Sequence, residues 1–139
     1  MAYEVFISFK RNKPDGSGVT RDYQLAADLH RTLTDAGVKT FMSERDVYTY
    51  DFRKEIDDAL DEAKILIAVG TCNANMESEN VRYEWWSFND DILSGDKPDG
   101  QIFSYIEGMQ RSDLPRALRR LQFFHSSEKE RLVAVILKN

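Results

Sequence analysis

The chain carries one cysteine, Cys72, in 139 residues, which excludes an internal disulfide and any cysteine-rich zinc site. Histidine is nearly as scarce. His30 and His125 stand far apart in sequence, so no structural metal is expected. Three prolines and seven glycines are too few for a linker-rich chain, and there is no internal repeat or low-complexity tract. No apolar run approaches the ~20 residues that span a bilayer. Met1-Ala2-Tyr3-Glu4 enters a strand-like segment without the basic and then apolar stretch of a secretory leader, so the expected location is cytosolic. A surplus of cations is also missing. Lys and Arg number 19 against 24 Asp and Glu, and the net charge of -5 offers no general attraction to nucleic acid or anionic membrane. An anionic ligand must therefore find its cations locally.

What is present is the composition of a globular protein, 42% apolar and 12% aromatic. The length suits one domain, residues 1–139, able to bury roughly two thirds of its unfolded surface. Tyr3 to Phe9 is β-branched and aromatic, the pattern of a buried strand. Lys10 to Gly18, with Pro14, Gly16, Gly18 and three cations, breaks it into a mobile surface loop. From Thr20 a helix is predicted with Leu25, Ala26, Leu29, Leu33 and Ala36 inward and Gly37 as the stop. Val38 to Met42 is a second strand. Ser43 to Asp51 is a polar loop, with Asp51 as the cap of a helix that turns Phe52, Ile56, Ala59, Leu60 and Ala63 inward.

Ile65 to Val69 is an unbroken apolar run, as a central parallel strand requires. A polar loop from Thr71 to Glu77 precedes a helix whose stripe is Val81, Trp85, Phe88 and Ile92. Ile102 to Ile106 forms a fourth strand, Pro115 opens a short helix carrying Leu118 and Leu121, and Leu121 to Phe124 gives a short fifth strand. Ser127 and Glu130 have the spacing of a capping box, opening a last helix with Leu132, Val133 and Ile136 inward. Strand and helix alternate throughout. That implies an α/β, flavodoxin-like three-layer sandwich: a five-stranded parallel sheet of order 2-1-3-4-5 with helices on both faces. Ligands of such sheets bind beyond the carboxyl ends of the strands where the order reverses. Here that rim holds Ser8 to Arg11, Ser43 to Asp46, and Gly70 to Asn73.

Glu84 is the residue least like its surroundings. It follows Val81 by three positions and precedes Phe88 by four, so it lies on the side of the apolar stripe. A carboxylate there is either a helix-edge Glu whose head reaches water or an Arg, or a group held for use. The rim excludes some chemistries. A phosphoacceptor receiver needs acids after the first strand and an Asp after the third, where this chain has Ser8-Phe9-Lys10 and Gly70-Thr71-Cys72. Gly16, Ser17, Gly18 and Thr20 have the right types for a flavin phosphate loop but the wrong spacing. Cys72 has no His nearby to activate it. What remains is a basic and aromatic rim facing one carboxylate. Phe9, Lys10, Arg11 and Arg45 could meet the ring and phosphates of a dinucleotide, and Glu84 could oppose positive charge on a ribose carbon as nicotinamide leaves NAD. A solvated loop explains the same cations.

Tyr3-Glu4-Val5-Phe6-Ile7-Ser8-Phe9-Lys10, Gly37-Val38-Lys39-Thr40-Phe41, Ala63 to Val69, and the Ser-x-x-Val-x-x-Glu formed by Ser78, Val81 and Glu84 occur in the order seen in TIR domains, which the chain resembles over nearly its whole length. Asn80 and Ser43 depart from that family's usual residues, and the loop Arg45 to Tyr50 lacks the Pro-Gly of many adaptor members. The resemblance implies NAD as substrate rather than cofactor, with no other cofactor, and nicotinamide release giving an ADP-ribose product or signal nucleotide. It implies Glu84 as the catalytic glutamate and Ser8, Phe9, Lys10, Arg11, Ser43, Arg45 and Asp46 as substrate-binding residues. It also implies self-association and a downstream effector that senses the product. An open half-cleft needs a lid to exclude water, and Tyr48 and Tyr50, in the loop from Ser43 to Asp51, are the candidate assembly residues to dock on a neighbouring copy; folding back onto their own helix is the alternative. The finer resemblance is to small bacterial TIR proteins of antiphage defence, Thoeris systems among them. A non-catalytic TIR module that only assembles with its like is the alternative.

Overall fold

The computed structural model describes residues 2–42 and 50–138, with Tyr50 and Asp51 described in backbone only. Strand β1, Val5–Ser8, lies between β2, Thr40–Met42, and β3, Ile65–Gly70. β4, Gln101–Ile106, and β5, Phe123–His125, extend the sheet beyond β3. All four pairings are parallel, and the order β2-β1-β3-β4-β5 is the predicted one. The strand order reverses between β1 and β3, because the connection from β2 must pass back across β1.

Helix α1, Arg21–Asp35, and α5, Lys129–Lys138, cover one face of the sheet. Helices α2, Tyr50–Glu62, and α4, Glu79–Ser94, cover the other, with the four-residue α3, Asn73–Met76, between β3 and α4. The pleat sorts β1 between the two layers: Val5 and Ile7 join the α1 side, Phe6 the α4 side. Val81, Trp85 and Phe88 of α4 are buried as their spacing predicts, each contributing roughly 1.5–3 kcal/mol through removal from water. Ser8, Ala68 and Ser104 are register partners across β1, β3 and β4, so they form one row of small side chains on the face beneath α4.

Several local expectations shift. Ala36 is exposed because the chain turns out of α1 there, with Gly37 at φ 88° closing the helix as expected. Asp51 lies inside the first turn of α2, which already begins at Tyr50, rather than capping it. The segment Thr71 to Glu77 contains α3. Its reason is visible at Gly70, where a Cβ would stand 2.3 Å from Cγ of the buried Met76; only glycine lets the helix return so closely over the strand end. Trp85 then donates its indole N–H to the Met76 carbonyl at 2.9 Å, tying α4 to α3. The capping box before α5 is offset by two residues from the predicted Ser127 and Glu130. Glu128 accepts from the His125 N–H at 3.1 Å and closes a 3-10 turn, Ser126–Glu128, ahead of the helix.

Candidate active site

Ser8 is the last residue of β1 and is fully buried, and its side chain faces α4. Glu84 is five residues past the start of α4 and only 4% exposed. The Ser8 hydroxyl donates to Glu84 Oε1 at 2.6 Å across 76 residues of sequence. The head of that glutamate is thus drawn inward onto the strand end and away from open water. A hydroxyl donor at this length is a charge-assisted geometry, which stabilises a carboxylate and fixes its plane.

The β1 exit is held from the other side. Thr20 caps α1 by accepting from the Tyr23 N–H at 3.1 Å, donates its hydroxyl to the Lys10 carbonyl, and donates its N–H to the Arg11 carbonyl at 2.8 Å. The segment between them was expected to be a mobile loop. It folds as a closed turn instead, with an antiparallel bridge between Asn12 and Val19, Lys13 N–H on the Gly18 carbonyl at 2.9 Å, and Ser17 N–H on Asp15 at 2.9 Å. Gly16 at φ 76° supplies the left-handed corner.

Phe9 does not stand beside Glu84. The pleat turns its ring to the α1 side, where it is 8% exposed and 5.9 Å from the Tyr23 ring, so it packs rather than offering an open stacking platform. Lys10 is half-buried. Arg11, also half-buried, lays its guanidinium 5.4 Å from the Tyr23 ring centre and bonds Asn12 at 3.5 Å. Ser43, Arg45, Asp46 and Tyr48 lie outside the described residues, and Tyr50 is described only as the first residue of α2.

A second buried carboxylate on the same rim escaped the sequence reading. Asp22, in the first turn of α1, has no exposed surface, and accepts from the Thr71 hydroxyl and from the Asn75 amide at 3.3 Å. Burial pushes its carboxyl above the ordinary range, against the opposing pull of those two donors. In sequence it is an acid in a helix's first turn, a common feature. Its donors come from 49 and 53 residues away, so no local pattern announces them. Next to it Arg21 grips Glu107 through two bonds of 2.8 and 3.1 Å, and Ser126 adds a third at 2.9 Å; the guanidinium holds the Glu107 carboxyl below its usual range. These contacts join α1 to the segments after β3 and β4 and stiffen the rim around the crevice. Among the described residues no group of His, Cys, Asp and Glu could hold a metal ion, and no helix is long and apolar enough to cross a membrane.

A carboxylate on the third long helix, met by a serine at the end of the first strand of a 2-1-3-4-5 sheet, narrows the families that fit. A family model described as TIR domain matches residues 5–136. The chain belongs to the TIR domain family. Among solved structures this TIR domain is similar to the TIR domains of the activated Roq1 resistosome that directly recognizes the pathogen effector XopQ. The TM-score is 0.67 at 14% identity, over 99% of this chain and 98% of that one. At that identity the likeness concerns the fold. No curated protein matches the chain.

Proposed function

We propose that this TIR domain cleaves the bond between nicotinamide and ribose in NAD, with Glu84 as the carboxylate that opposes the cation developing on the ribose carbon. The observation that carries the reading is the Ser8–Glu84 pair: a nearly dry carboxylate, oriented by a buried hydroxyl, at the carboxyl end of β1 where the strand order reverses. A fixed negative charge acts on a transition state most strongly where water does not screen it. Nicotinamide leaves as a neutral base, and the ribosyl cation is taken by water or by another nucleophile, giving ADP-ribose or a joined signal nucleotide for a downstream effector. Lys10 and Arg11 follow the end of β1 and would supply the cations that meet the diphosphate. Bacterial antiphage immunity is the setting that the sequence pattern suggests. Self-association would complete the site, with Tyr48 and Tyr50 as assembly residues docking on a second copy; the similarity to TIR domains of a resistosome supports assembly as part of this reading.

The test is to incubate the protein with NAD and follow nicotinamide and ADP-ribose species by chromatography and mass analysis, with Glu84→Gln alongside. Gln keeps the shape and loses the charge, so turnover should fall by roughly two decades or more. A folded Glu84→Gln protein that retains wild-type turnover removes Glu84 from the chemistry.

A second reading, the non-catalytic assembly module, has an observation of its own on the outer side of α4. Trp86 is 58% exposed and Leu93 77%, and Tyr83 beside them carries the Arg53 guanidinium 4.8 Å from its ring centre. Aromatic and Arg side chains of this kind anchor interfaces. Inactivity of wild-type protein toward NAD, together with dimerisation abolished by Trp86→Ala, would favour it.

A further inference from the structure

The connection between β4 and β5 concentrates positive charge in an otherwise acidic protein. Arg111, Arg116, Arg119 and Arg120 surround an open hollow of about 620 Å³, with Ala117 as its remaining lining residue. A stretch of exposed arginines is ordinarily just a solvated face. Three features separate this one from that description.

The first is rigidity. The segment consists of two 3-10 turns, Arg111–Asp113 and Arg116–Leu118, nailed down by Met109, Leu114 and Leu118, all buried in the α4-side core. Asn73 donates to the Asp113 carbonyl at 2.9 Å and links it to the β3 rim. The second is orientation. Arg111 donates Nε to the Arg119 carbonyl at 2.7 Å, and Arg119 donates Nε to the Leu114 carbonyl at 2.9 Å. Each guanidinium is thereby fixed by its inner nitrogen, while its terminal N–H groups are not used in these bonds. The third is charge. Among the described residues none of the four arginines forms an ion pair. The one nearby carboxylate in sequence, Asp113, is turned to the Gln110 N–H at 2.9 Å. Four like charges brought this close repel one another unless an anion sits among them.

We infer that this hollow is a binding site for a linear oligophosphate, bound through its phosphates by Arg111, Arg116, Arg119 and Arg120. Guanidinium forks match phosphate oxygens two at a time, and the two held forks, Arg111 and Arg119, lose little freedom on binding, while Arg116 and Arg120 add charge from the exposed side of the hollow. No aromatic side chain lines the hollow, so there is no platform on which a base could stack, and a single-stranded nucleic acid is disfavoured for that reason. The ligand class is inorganic polyphosphate or the phosphate chain of a nucleoside triphosphate.

The experiment is calorimetric titration of the full chain with tripolyphosphate and with ATP at one ionic strength of about 0.15 M. Sulfate and a single-stranded oligonucleotide serve as comparison ligands. Arg116→Gln/Arg120→Gln is the variant to use, since both side chains are exposed and neither makes a hydrogen bond within the described protein. Tripolyphosphate should bind well above sulfate, the double variant should weaken it at least about tenfold, and ATP should bind no tighter than tripolyphosphate. Amide chemical shifts should move over residues 110–121. Glu84→Gln should bind tripolyphosphate as the wild type does, which keeps this site separate from NAD cleavage. Tripolyphosphate binding no tighter than sulfate, binding unchanged in the double variant, or a marked preference for the oligonucleotide would each overturn the inference.

Discussion

The Ser8–Glu84 contact gives a number that can be measured without any substrate. Both groups are nearly dry, Ser8 at 0% and Glu84 at 4% exposure, and the bond is 2.6 Å long. A hydrogen bond to a charged group contributes about 1.5–3 kcal/mol, and more of that survives where water cannot replace the lost donor. The exposed Lys54–Asp58 pair on α2, 2.9 Å apart with side chains 68% and 58% exposed, belongs to a class that water and salt screen almost completely. Urea unfolding of wild type, Ser8→Ala, Glu84→Ala and the double variant should therefore give a coupling of about 2 kcal/mol. The same cycle on Lys54 and Asp58 should give a far smaller coupling. Against a total stability of about 5–15 kcal/mol the single variants remain folded, so turnover can be measured on the same samples. With this donor gone the carboxylate is less firmly oriented, and kcat in Ser8→Ala should fall roughly 10- to 100-fold with KM little changed. A coupling no larger than that of the surface pair, or full turnover in Ser8→Ala, would show that the strand end does not position this glutamate.

Gly70→Ala should destabilise the domain by about 1–3 kcal/mol in urea melts, because the added methyl group meets the enclosed side chain of Met76 at 2.3 Å; a loss under 0.5 kcal/mol (about the scatter of such melts) would mean that α3 shifts freely. Asp22 has a folded carboxyl raised by burial, so the folded state binds its proton more tightly than the unfolded one, and this group's contribution is most favourable below its unfolded value and declines as pH rises through its raised folded value. Asp22→Asn should therefore gain stability relative to wild type as pH rises from acid toward neutral, and a difference that stays flat with pH contradicts the sign. Lys10→Ala should raise KM for NAD, more so at low salt, whereas Arg11→Ala should in addition lose about 0.5–1 kcal/mol from its contact with Tyr23; unchanged KM in both would leave the β1 exit without a role in binding.

The order of the sheet could be read from the sequence because each strand carries its own signal. Ile65 to Gly70 is apolar at every position since both of its faces are covered, and the period of Val81, Trp85 and Phe88 fixes the buried side of α4. Glu84 could be singled out for the same reason, as a polar residue on an apolar side. Its partner could not be derived, because Ser8 reads as one more small residue at a strand end until the two elements are packed together. The misses share that cause. Asp22, Thr71 and Asn75 meet only in three dimensions, α3 exists because Gly70 permits a close return, and Phe9 faces away from Glu84 by the parity of a pleat that begins at Val5. Where the evidence of a residue is its neighbour in sequence, pattern suffices; where it is a neighbour in space, it does not.

The row formed by Ser8, Ala68 and Ser104 has an implication for how such a domain can change its occupation. Three of the smallest side chains stand side by side beneath α4, in the row whose end, Ser8, receives the inward glutamate. Ser104 even keeps a buried hydroxyl with no hydrogen-bond partner among the described residues, a cost retained in place of a larger apolar side chain. Enlarging Ala68 to Val or Leu would lift the helix or expel the carboxylate without touching any substrate, while both core layers stayed intact. One such substitution is a short path by which a lineage could lose the inward acid and keep the scaffold, and the bulk found at this position is a means of sorting related chains into those able to seat an inward acid and those that are not.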